Sequence, residues 1–287
     1  MMTESTEAAR RAYAEELRFT TRMRSPALLA AFANVPRERF VGPGPWRIKS
    51  PWGLNEYWTT GDVDLRCLYH DVLVALDEKQ GVNNGQPSLW AFLLDRLDVG
   101  AGEHALHLGC GTGYYTAILA ELVGPDGSVA AVEIDAALAE RARVALGLWP
   151  RVAVSNADGA GASFAPADVI VASAGVTHPP LSWIGALEPG GRLLVPMTTE
   201  RGGPGRMLLV TRGRQDGFAA RFLCDVRFID FKGMRDPEAS ARLAQAFRRD
   251  GGASVRSLRC DDHKEDKSCW LHGGDWCLSR RDPGAGE

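Results

Sequence analysis

The sequence predicts an α/β protein whose buried strands alternate with helices and pair mainly in parallel. Three observations support this fold class. Strand and helix patterns alternate from His104 onward. A glycine-rich turn at residues 109–113 joins the first of these strands to a helix. Only a short turn, residues 213–217, separates the last two strands of the series, so those two strands are expected to pair antiparallel.

The composition is that of an ordinary globular protein. The chain has 287 residues, with 33 Lys and Arg against 36 Asp and Glu, which is enough for one large or two smaller domains. A net charge of -3 supplies no broad positive field, so no nucleic-acid partner is expected. No apolar run is long enough to span a bilayer, and the charged N-terminus lacks a signal peptide's apolar core. The expectation is a cytoplasmic protein without membrane contact.

Residues 1–80 are predicted to form an N-terminal helical and aromatic collar. Apolar residues recur at helical spacing between residues 8 and 32, and Ser25-Pro26 supplies an N-cap followed by a proline in the first turn. The second helix is expected to end before Val35-Pro36. Glycine, proline and tryptophan dominate residues 41–64, which favours an irregular segment.

Residues 81–235 carry the alternation and are predicted to form the main domain, and residues 236–287 a small C-terminal extension. The extension is expected to contain a helix, a strand and a hairpin around Gly273-Gly274. The main domain is expected to contain helices at 115–123, 136–146 and 180–187, and seven strands at 104–109, 128–134, 152–157, 168–174, 192–197, 207–211 and 218–231.

The glycine-rich turn lies within LHLGCGTGYY, residues 106–115. Glycines allow the backbone to approach a ligand closely, and the following helix N-terminus offers unpaired N–H groups to a negatively charged group. Glu133 follows at the end of the next predicted strand, where a carboxylate can accept both hydroxyls of a ribose. The combination predicts a nucleoside-containing cofactor.

Two cofactors compete, a dinucleotide and S-adenosylmethionine. A dinucleotide fingerprint needs a third glycine or alanine, but Tyr114 or Thr116 stands there, depending on the first glycine counted. The run Gly109-Cys110-Gly111-Thr112-Gly113 instead resembles the first motif of the class I, Rossmann-like methyltransferases that use S-adenosylmethionine.

Further motifs identify a family. The chain resembles protein-L-isoaspartate O-methyltransferase over about residues 14–235, with the glycine motif in its expected place among VPRERFV (35–41), GQPSLWAFLLDRL (85–97), NADGAG (156–161), ADVIVASAG (167–175), LEPGGRLLVPM (187–197) and DVRFIDF (225–231). The resemblance implies a seven-stranded sheet that ends in an antiparallel hairpin. It also implies methyl transfer from S-adenosylmethionine to a peptide carboxylate, normally that of isoaspartate, with the ester collapsing to a succinimide.

The resemblance also assigns site residues. The loop beside the reactive methyl group would supply the catalytic residues Asn84, Gly85 and Ser88, and substrate would meet Asn83, Gln86 and His178. The cofactor would contact His107, Gly109, Cys110, Gly111, Gly113, Glu133, Ile134, Asp158 and Gly159, with Glu133 at the ribose and Asp158-Gly159 at the adenine. Simpler interpretations stay open: Asn-Asn-Gly and Asp-Gly are turn sequences, His107 fits a buried histidine satisfied by backbone, and His178 fits a surface loop.

Two departures from the family pattern bear on substrate and cofactor. The family usually has a hydroxyl residue just before Gln-Pro, where this chain has Gly85, with Ser88 three positions on. Many members have an acid in the first strand, where this chain has His107. The segments YHDVLVAL (69–76) and NNGQPS (83–88), together with the extension, resemble divergent members that tailor ribosomally made lanthipeptides, lasso peptides and graspetides by methylating a precursor aspartate, which leads to an aspartimide.

The expected function is methyl esterification of an aspartyl or isoaspartyl carboxylate in a peptide, within peptide natural-product tailoring. A carboxyl with a reference pKa of ~4 is ionised at neutral pH and needs no general base. General isoaspartate repair is the alternative, followed by a small-molecule methyltransferase and a non-catalytic peptide-binding protein. The sequence leaves the oligomeric state open.

The extension also holds a group of metal-ligand types, namely Cys260, His263, Cys269, His272 and Cys277. Their spacings form no paired Cys-x-x-Cys knuckles, and a hairpin with these side chains packed on neighbours explains them. No metal site is therefore expected.

Overall fold

The computed structural model describes residues 2–50, 56–161, 163–199, 205–214 and 217–284. The chain divides into two compact units. Unit 1 consists of Met1–Glu103 and Cys110–Asn156, and unit 2 of His104–Gly109 and Ala157–Glu287. The division falls inside the glycine-rich turn and not at the predicted boundaries after residues 80 and 235, which stay predictions.

Two helices open unit 1, as predicted. Helix α1 spans Met2–Thr21 and α2 spans Pro26–Asn34. The Ser25 hydroxyl accepts a hydrogen bond from the Leu28 N–H at 3.2 Å, and Pro26 occupies the first turn, so the N-cap signal in the sequence is the real start of α2. A short 3-10 helix, Arg37–Phe40, follows.

The prediction that residues 41–64 are irregular was wrong in part, because they contribute two strands to a small antiparallel sheet. Its order is β2-β1-β3-β4. Ile48 and Val74 pair across the sheet and are both buried, with Trp46, Leu68 and Val72 in the same cluster. The strands are short, so local sequence carries little of their signal. They are β1 Arg47–Lys49, β2 Trp58–Thr59, β3 Leu73–Asp77 and β4 Val82–Asn83. The predicted collar residue Trp52 lies outside the described residues.

Along this half of the chain, the elements from β5 to β7 match the predicted alternation to within two residues, and α3 is a further helix that was not among the predicted elements. They are α3 Pro87–Leu97, β5 His104–Leu108, α4 Tyr114–Val123, β6 Ser128–Glu133, α5 Ala136–Ala145 and β7 Val152–Asn156. Within unit 1, β6 and β7 pair in parallel, with Glu133 opposite Asn156. This register places two polar residues side by side at the carboxyl ends of adjacent strands.

Unit 2 contains β5 and the strands β8 to β14, in the order β13-β14-β12-β11-β10-β9-β8-β5. Strands β5, β8 and β9 are parallel, whereas β9, β10 and β11 are antiparallel, which confirms the terminal hairpin. The elements are β8 Ala167–Ala172, α6 Leu181–Gly185, β9 Leu187–Thr198, β10 Gly205–Arg212, β11 Phe218–Val226, α7 Pro237–Asp250, β12 Ser257–Arg259, β13 Cys269–His272 and β14 Cys277–Ser279.

Strands β5 to β11 are the seven that the sequence predicts. The C-terminal extension then continues the sheet beyond β11, which the sequence does not predict. Strand β12 pairs with β11, with Phe218 opposite Leu258, and β14 pairs with β12, with Leu258 opposite Leu278.

A buried arginine positions the loop that follows β4. Arg37 has no exposed surface and donates to the backbone oxygens of Leu68, His70 and Val72 at 2.6 to 3.1 Å. Its Nε donates to Asn84 Oδ1 at 3.0 Å. A guanidinium has five donors in a fixed plane, and this side chain ties three separate segments of unit 1 together.

Replacing this arginine tests its structural role. Arg37→Lys keeps the charge but leaves buried acceptors without donors, which is expected to lower the free energy of unfolding by at least about 2 kcal/mol. Arg47→Lys is the matched control, because Arg47 makes an exposed ion pair with Glu78, and such pairs contribute little. Urea unfolding measures the stability of both variants. Equal unfolding midpoints would contradict the structural role of Arg37.

Candidate functional site

The glycine-rich turn adopts a backbone that only glycine takes readily. Gly109, Gly111 and Gly113 have φ values of +73°, +58° and +94°, in the left-handed region. The Gly113 N–H donates to the Cys110 carbonyl at 2.9 Å, which closes the turn, and Gly113 is the N-cap of α4. The turn therefore leads directly into a helix N-terminus with unpaired N–H groups.

A buried carboxylate holds the turn in unit 1. The Gly111 N–H donates to Glu133 Oε2 at 2.8 Å, and the Asp135 N–H donates to Oε1 at 3.0 Å. Glu133 is 7% exposed. Burial raises its pKa above the ordinary value, while the N–H groups of Asp135 and Gly111 oppose that rise. A carboxylate has about four lone-pair sites, so both oxygens retain capacity for two further hydroxyl donors.

The surroundings of the turn fit a bound cofactor. A Cβ at Gly111 would meet no atom within 4 Å, so the space above the backbone is open. The Thr112 hydroxyl is buried and has no hydrogen-bond partner among the described residues, although buried polar groups normally have one. The Ile134 side chain is 41% exposed beside Glu133, an apolar surface on which a flat ring can pack.

Asn156 fixes the backbone around Glu133, a role that the sequence motif did not reveal. Its Nδ2 donates to the carbonyls of Glu133 and Ile134 at 2.9 and 3.0 Å. The signal available was its position in NADGAG, at the end of the strand that pairs with β6.

The loop from Asn83 to Ser88 follows β4 in unit 1. Asn83 Oδ1 accepts the Gly85 N–H at 2.9 Å, which makes the turn that the Asn-Asn-Gly sequence favours. Asn84 is 6% exposed, and its Oδ1 is taken by Arg37. Any catalytic role of Asn84 would therefore fall mainly to its Nδ2 amino group.

Gly85 occupies a position with no space for a side chain. Its φ is +77°, and a Cβ there would lie 2.7 Å from Trp90 Nε1 and 2.8 Å from Tyr115 Cε2. The two rings stack with centroids 4.6 Å apart, and the Tyr115 hydroxyl donates to the Gly85 carbonyl at 3.2 Å. Two aromatic rings therefore fill the region next to the position where the family usually has a hydroxyl residue. Tyr115, in the first turn of α4, ties this loop to the glycine-rich turn.

Ser88 and Gln86 form a polar network at the start of α3 with Asp71, which the sequence analysis did not single out. Asp71 Oδ1 accepts the Ser88 N–H at 2.8 Å, and Oδ2 accepts Gln86 Nε2 at 3.2 Å. The same Nε2 donates to the Ser88 hydroxyl at 3.0 Å. The Ser88 hydroxyl proton keeps its freedom to donate. Asp71 belongs to the YHDVLVAL segment, which was the available signal.

His107 lies in β5 of unit 2 and is 1% exposed. Its Nε2 lies 2.8 Å from the Ser173 hydroxyl oxygen. Burial lowers its pKa to about 4, so the ring is neutral at physiological pH. These features favour the buried-histidine interpretation, with a side-chain hydroxyl among its partners. Direct contact with a cofactor stays a prediction.

The other predicted residues of unit 2 lie in loops after strands. Asp158 is exposed, and its Oδ1 accepts the Ala160 N–H at 2.9 Å. Gly159 is buried, and its carbonyl accepts Trp183 Nε1 at 2.9 Å. His178 is half-buried, with Nδ1 3.2 Å from the Thr177 hydroxyl. The Asp158 contact is that of a turn, and the ligand contacts predicted for all three residues stay predictions.

Cys110, within the turn, is a poor nucleophile at neutral pH. Burial, together with the nearby charge of Glu133, raises the pKa of its thiol to about 12. His107, with its pKa lowered to about 4, is a weak base.

The α/β fold, the glycine-rich turn and the acid at the end of β6 together define a class I methyltransferase dependent on S-adenosylmethionine. The sequence profile of the protein-L-isoaspartate(D-aspartate) O-methyltransferase family matches residues 62–235. The chain belongs to this family, which confirms the resemblance seen in its motifs.

Curated relatives also support membership of this family. Protein-L-isoaspartate O-methyltransferase 1 of Rhodopseudomonas palustris (strain HaA2) is 33% identical over 238 residues, covering 82% of this chain and 86% of its own. The enzyme of the same name from Anaeromyxobacter sp. (strain Fw109-5) is 34% identical over 218 residues, covering 74% and 90%.

A solved protein-L-isoaspartate O-methyltransferase has a TM-score of 0.63 and 25% identity, covering 82% of this chain and 68% of its own. A Plasmodium falciparum structure, described as a putative enzyme of this family in complex with S-adenosyl-L-homocysteine, shares the fold with a TM-score of 0.61 and 17% identity, covering 78% and 98%. Among the residues that the structure describes, no helix combines the length and apolarity needed to cross a membrane.

Glu133→Gln tests the ribose contact. Loss of a charge-assisted hydrogen bond costs about 1.5–3 kcal/mol, so affinity for S-adenosyl-L-homocysteine is expected to fall roughly 10- to 100-fold. Isothermal titration calorimetry measures it. Glu140→Gln is the matched control, because Glu140 is an exposed acid on α5 that pairs with Arg143. Unchanged affinity in Glu133→Gln would remove Glu133 from the cofactor site.

The raised pKa of Glu133 predicts a pH dependence. Hydroxyl donors favour the ionised carboxylate, so affinity is expected to fall as the pH drops through the Glu133 pKa, at higher pH than for an ordinary glutamate. Titrations between about pH 7.5 and about pH 5 measure this. Glu133→Gln should show a flat profile over the same range, and an equally steep profile in that variant would assign the dependence to another group.

Gly85→Ala tests the closed space beside the loop. Gly102 is the matched control, since its φ of +81° is similar but a Cβ there would meet no atom within 4 Å. Backbone strain of about 1–2 kcal/mol is common to both variants, whereas overpacking adds about 1–3 kcal/mol only at Gly85. Urea unfolding measures the difference. Equal losses of stability would show that the space beside Gly85 can open.

Proposed function

We propose that this protein transfers the methyl group of S-adenosylmethionine to the carboxylate of an aspartyl or isoaspartyl residue in a peptide. The observation that carries the proposal is the contact of the Gly111 N–H with the buried Glu133 carboxylate, in a chain of this family. Tyr115 links the same turn to the loop that would face the reactive methyl group.

The cofactor fits residues of the glycine-rich turn. Glu133 would accept its ribose hydroxyls, Ile134 would pack against its base, and the unpartnered Thr112 hydroxyl would meet its polar end. Asp158 and Gly159 at the adenine, and Gly109 and Cys110 at the methionine end, complete the proposed set. When bound, S-adenosylmethionine supplies an electrophilic methyl group.

The acceptor supplies its own nucleophile. A side-chain carboxyl with a pKa of ~4 is ionised at neutral pH, so its oxygen can attack the methyl carbon while the carbon–sulfur bond breaks. No proton has to be removed, which agrees with a neutral His107 and a protonated Cys110. The protein's part is to hold the carboxylate in line with the methyl group. Ser88, Gln86 and the free part of the Asn84 amide are the available donors.

The ester then reacts without further help from the protein. The backbone amide nitrogen of the following residue attacks the ester carbonyl, methanol leaves, and a succinimide remains. This five-membered ring is the aspartimide that the tailoring enzymes of the family produce.

A dedicated, modified peptide is the preferred substrate in this proposal. At Gly85 the chain lacks the family's usual hydroxyl, and Trp90 and Tyr115 leave no space for one. The carboxylate must therefore be recognised by other groups, and Ser88 is the nearest hydroxyl in the loop sequence. The YHDVLVAL segment and the extension also resemble tailoring members. This supports peptide natural-product tailoring in the cytoplasm.

General isoaspartate repair is the second candidate. It is supported by the names of the relatives described above, which are protein-L-isoaspartate O-methyltransferases. A small-molecule acceptor or a non-catalytic peptide-binding role would leave the order of the family motifs unexplained.

Mass spectrometry separates the two candidates. An isoaspartyl peptide and its aspartyl counterpart are each incubated with protein and S-adenosylmethionine, with Glu133→Gln as the matched control. A dedicated peptide substrate predicts no ester or succinimide on either peptide while calorimetry shows intact cofactor binding. Selective turnover of the isoaspartyl peptide would establish repair specificity instead. Absence of cofactor binding would contradict methyl transfer altogether.

A further inference from the structure

Four metal-ligand side chains converge in the C-terminal extension, within unit 2. They come from a loop and from both strands of the β13–β14 hairpin: His263, Cys269, His272 and Cys277. One ligand atom from each lies within 4.8 Å of the other three. His272 and Cys277 are directly paired across the hairpin. Cys269 and His272 are the first and last residues of β13. The cluster is separate from the glycine-rich turn and from the loop at Gly85 along the chain.

The separations match those of a tetrahedral zinc site. With Zn–S at ~2.3 Å and Zn–N at ~2.0 Å, tetrahedral geometry places sulfur and nitrogen ligands about 3.5 Å apart. In this structure Cys269 Sγ lies 3.6 Å from His263 Nε2 and 4.0 Å from His272 Nδ1. Small side-chain movements are enough to reach coordination distance.

The partners of the ligands orient them for a metal. His263 Nδ1 lies 2.9 Å from the Asp261 carbonyl oxygen, so Nδ1 carries the proton and Nε2 keeps its lone pair toward the cluster. A second hydrogen bond of this kind is the usual support of a metal-bound histidine. The Asp266 N–H donates to Cys269 Sγ at 3.4 Å, which holds the sulfur in place.

The side chains of the cluster are largely buried, although one of them comes from an exposed loop. His263 stands in the run DDHKEDK, residues 261–267, whose other members are exposed, yet its side chain is only 8% exposed. Cys269 and Cys277 are 6% and 0% exposed. Two thiolates and two neutral imidazoles around a divalent cation form a site with no net charge, which is compatible with burial.

From this geometry we propose that His263, Cys269, His272 and Cys277 bind one structural Zn²⁺ ion. On binding, the two thiols release their protons and two Zn–S bonds form, while the histidines bind through lone pairs. The proposal replaces the expectation of no metal site, which rested on the ligand spacing and on the packing of a hairpin. His263-x5-Cys269-x2-His272-x4-Cys277 lacks the paired Cys-x-x-Cys pattern, but the hairpin brings the ligands together.

The ion would fasten the 261–267 loop to the hairpin. The hairpin is already attached to the rest of the extension by Trp270, whose ring packs on Phe222 and Phe247 and whose Nε1 donates to Asp250 at 2.6 Å. The charged loop is held by polar contacts, namely the Asp261 pair with Arg259, the Asp266 pair with Arg281 and the hydrogen bond from Arg280 to the Lys267 carbonyl. Six of its seven residues are exposed, and exposed ion pairs contribute little. A metal contact through His263 would add a stronger attachment.

Metal analysis of the full chain tests the proposal. The protein is purified under reducing conditions, incubated with Zn²⁺, desalted and measured by plasma mass spectrometry. About one zinc per chain is expected, with large loss in Cys269→Ser and Cys277→Ser. Cys260→Ser is the matched control, because Cys260 is an exposed cysteine of the same extension that is not in the cluster, and it should keep full zinc content.

Cobalt substitution keeps the test decisive if the serine variants fail to fold. Wild-type protein loaded with Co²⁺ should show the intense visible absorption of tetrahedral coordination and the near-ultraviolet band of cobalt–thiolate bonds. Chelation of the zinc-loaded protein should lower its Tm. Less than about a tenth of an equivalent of zinc on the wild-type chain, or octahedral cobalt without a thiolate band, would overturn the proposal. Equal zinc loss in Cys260→Ser would overturn the ligand assignment.

Discussion

The candidate site depends on one buried interaction, the hydrogen bond from the Gly111 N–H to the Glu133 carboxylate. It joins the turn after β5 to the end of β6 within unit 1, and Asn156 at the end of β7 holds the adjacent carbonyls. Because burial raises the pKa of this acid, the carboxylate is costly to keep ionised. Two backbone N–H groups offset part of that cost, and ribose hydroxyls would offset more. The same residue can therefore shape the turn and recognise the ligand.

A second constraint connects the loop at Gly85 to this turn. Arg37 holds Asn84 from one side, and Tyr115 holds the Gly85 carbonyl from the other. Trp90 and Tyr115 fill the space where a side chain at residue 85 would lie. The loop is thereby fixed relative to the first turn of α4, as in-line methyl transfer requires. The missing hydroxyl is part of this packing arrangement, since the glycine and the two rings occupy the site together.

The sequence predicted those features whose signals are local. The alternation of strands and helices from β5 to β11 follows from hydrophobic periodicity, and the glycine-rich turn and Glu133 follow from a short motif and its spacing. The small sheet of β1 to β4 escaped prediction because its strands are two to five residues long and pair across intervening loops. The continuation of the main sheet by β12 and β14 depends on the pairing of Leu258 with Phe218 and with Leu278, and these residues lie far apart in the sequence.

The site shows the same division between local and distant signals. The roles of Arg37, Asn156 and Trp90 rest on partners that are distant along the chain, and so does the contact of His107 with Ser173. The cluster of His263, Cys269, His272 and Cys277 is the clearest case, because the ligand spacing argued against it, while the β13–β14 hairpin and the preceding loop bring the four side chains together. Ligand contacts for Asp158, Gly159 and His178 are still predictions from the family motifs.

A structure of the protein with S-adenosyl-L-homocysteine would show whether Glu133 recognises the cofactor. We expect both ribose hydroxyls within hydrogen-bond distance of the two Glu133 oxygens, ligand atoms in the open space above Gly111, and the sulfur directed toward the Gly85 loop. A ligand bound elsewhere, or a Glu133 carboxylate that contacts only backbone N–H groups in the complex, would contradict this expectation.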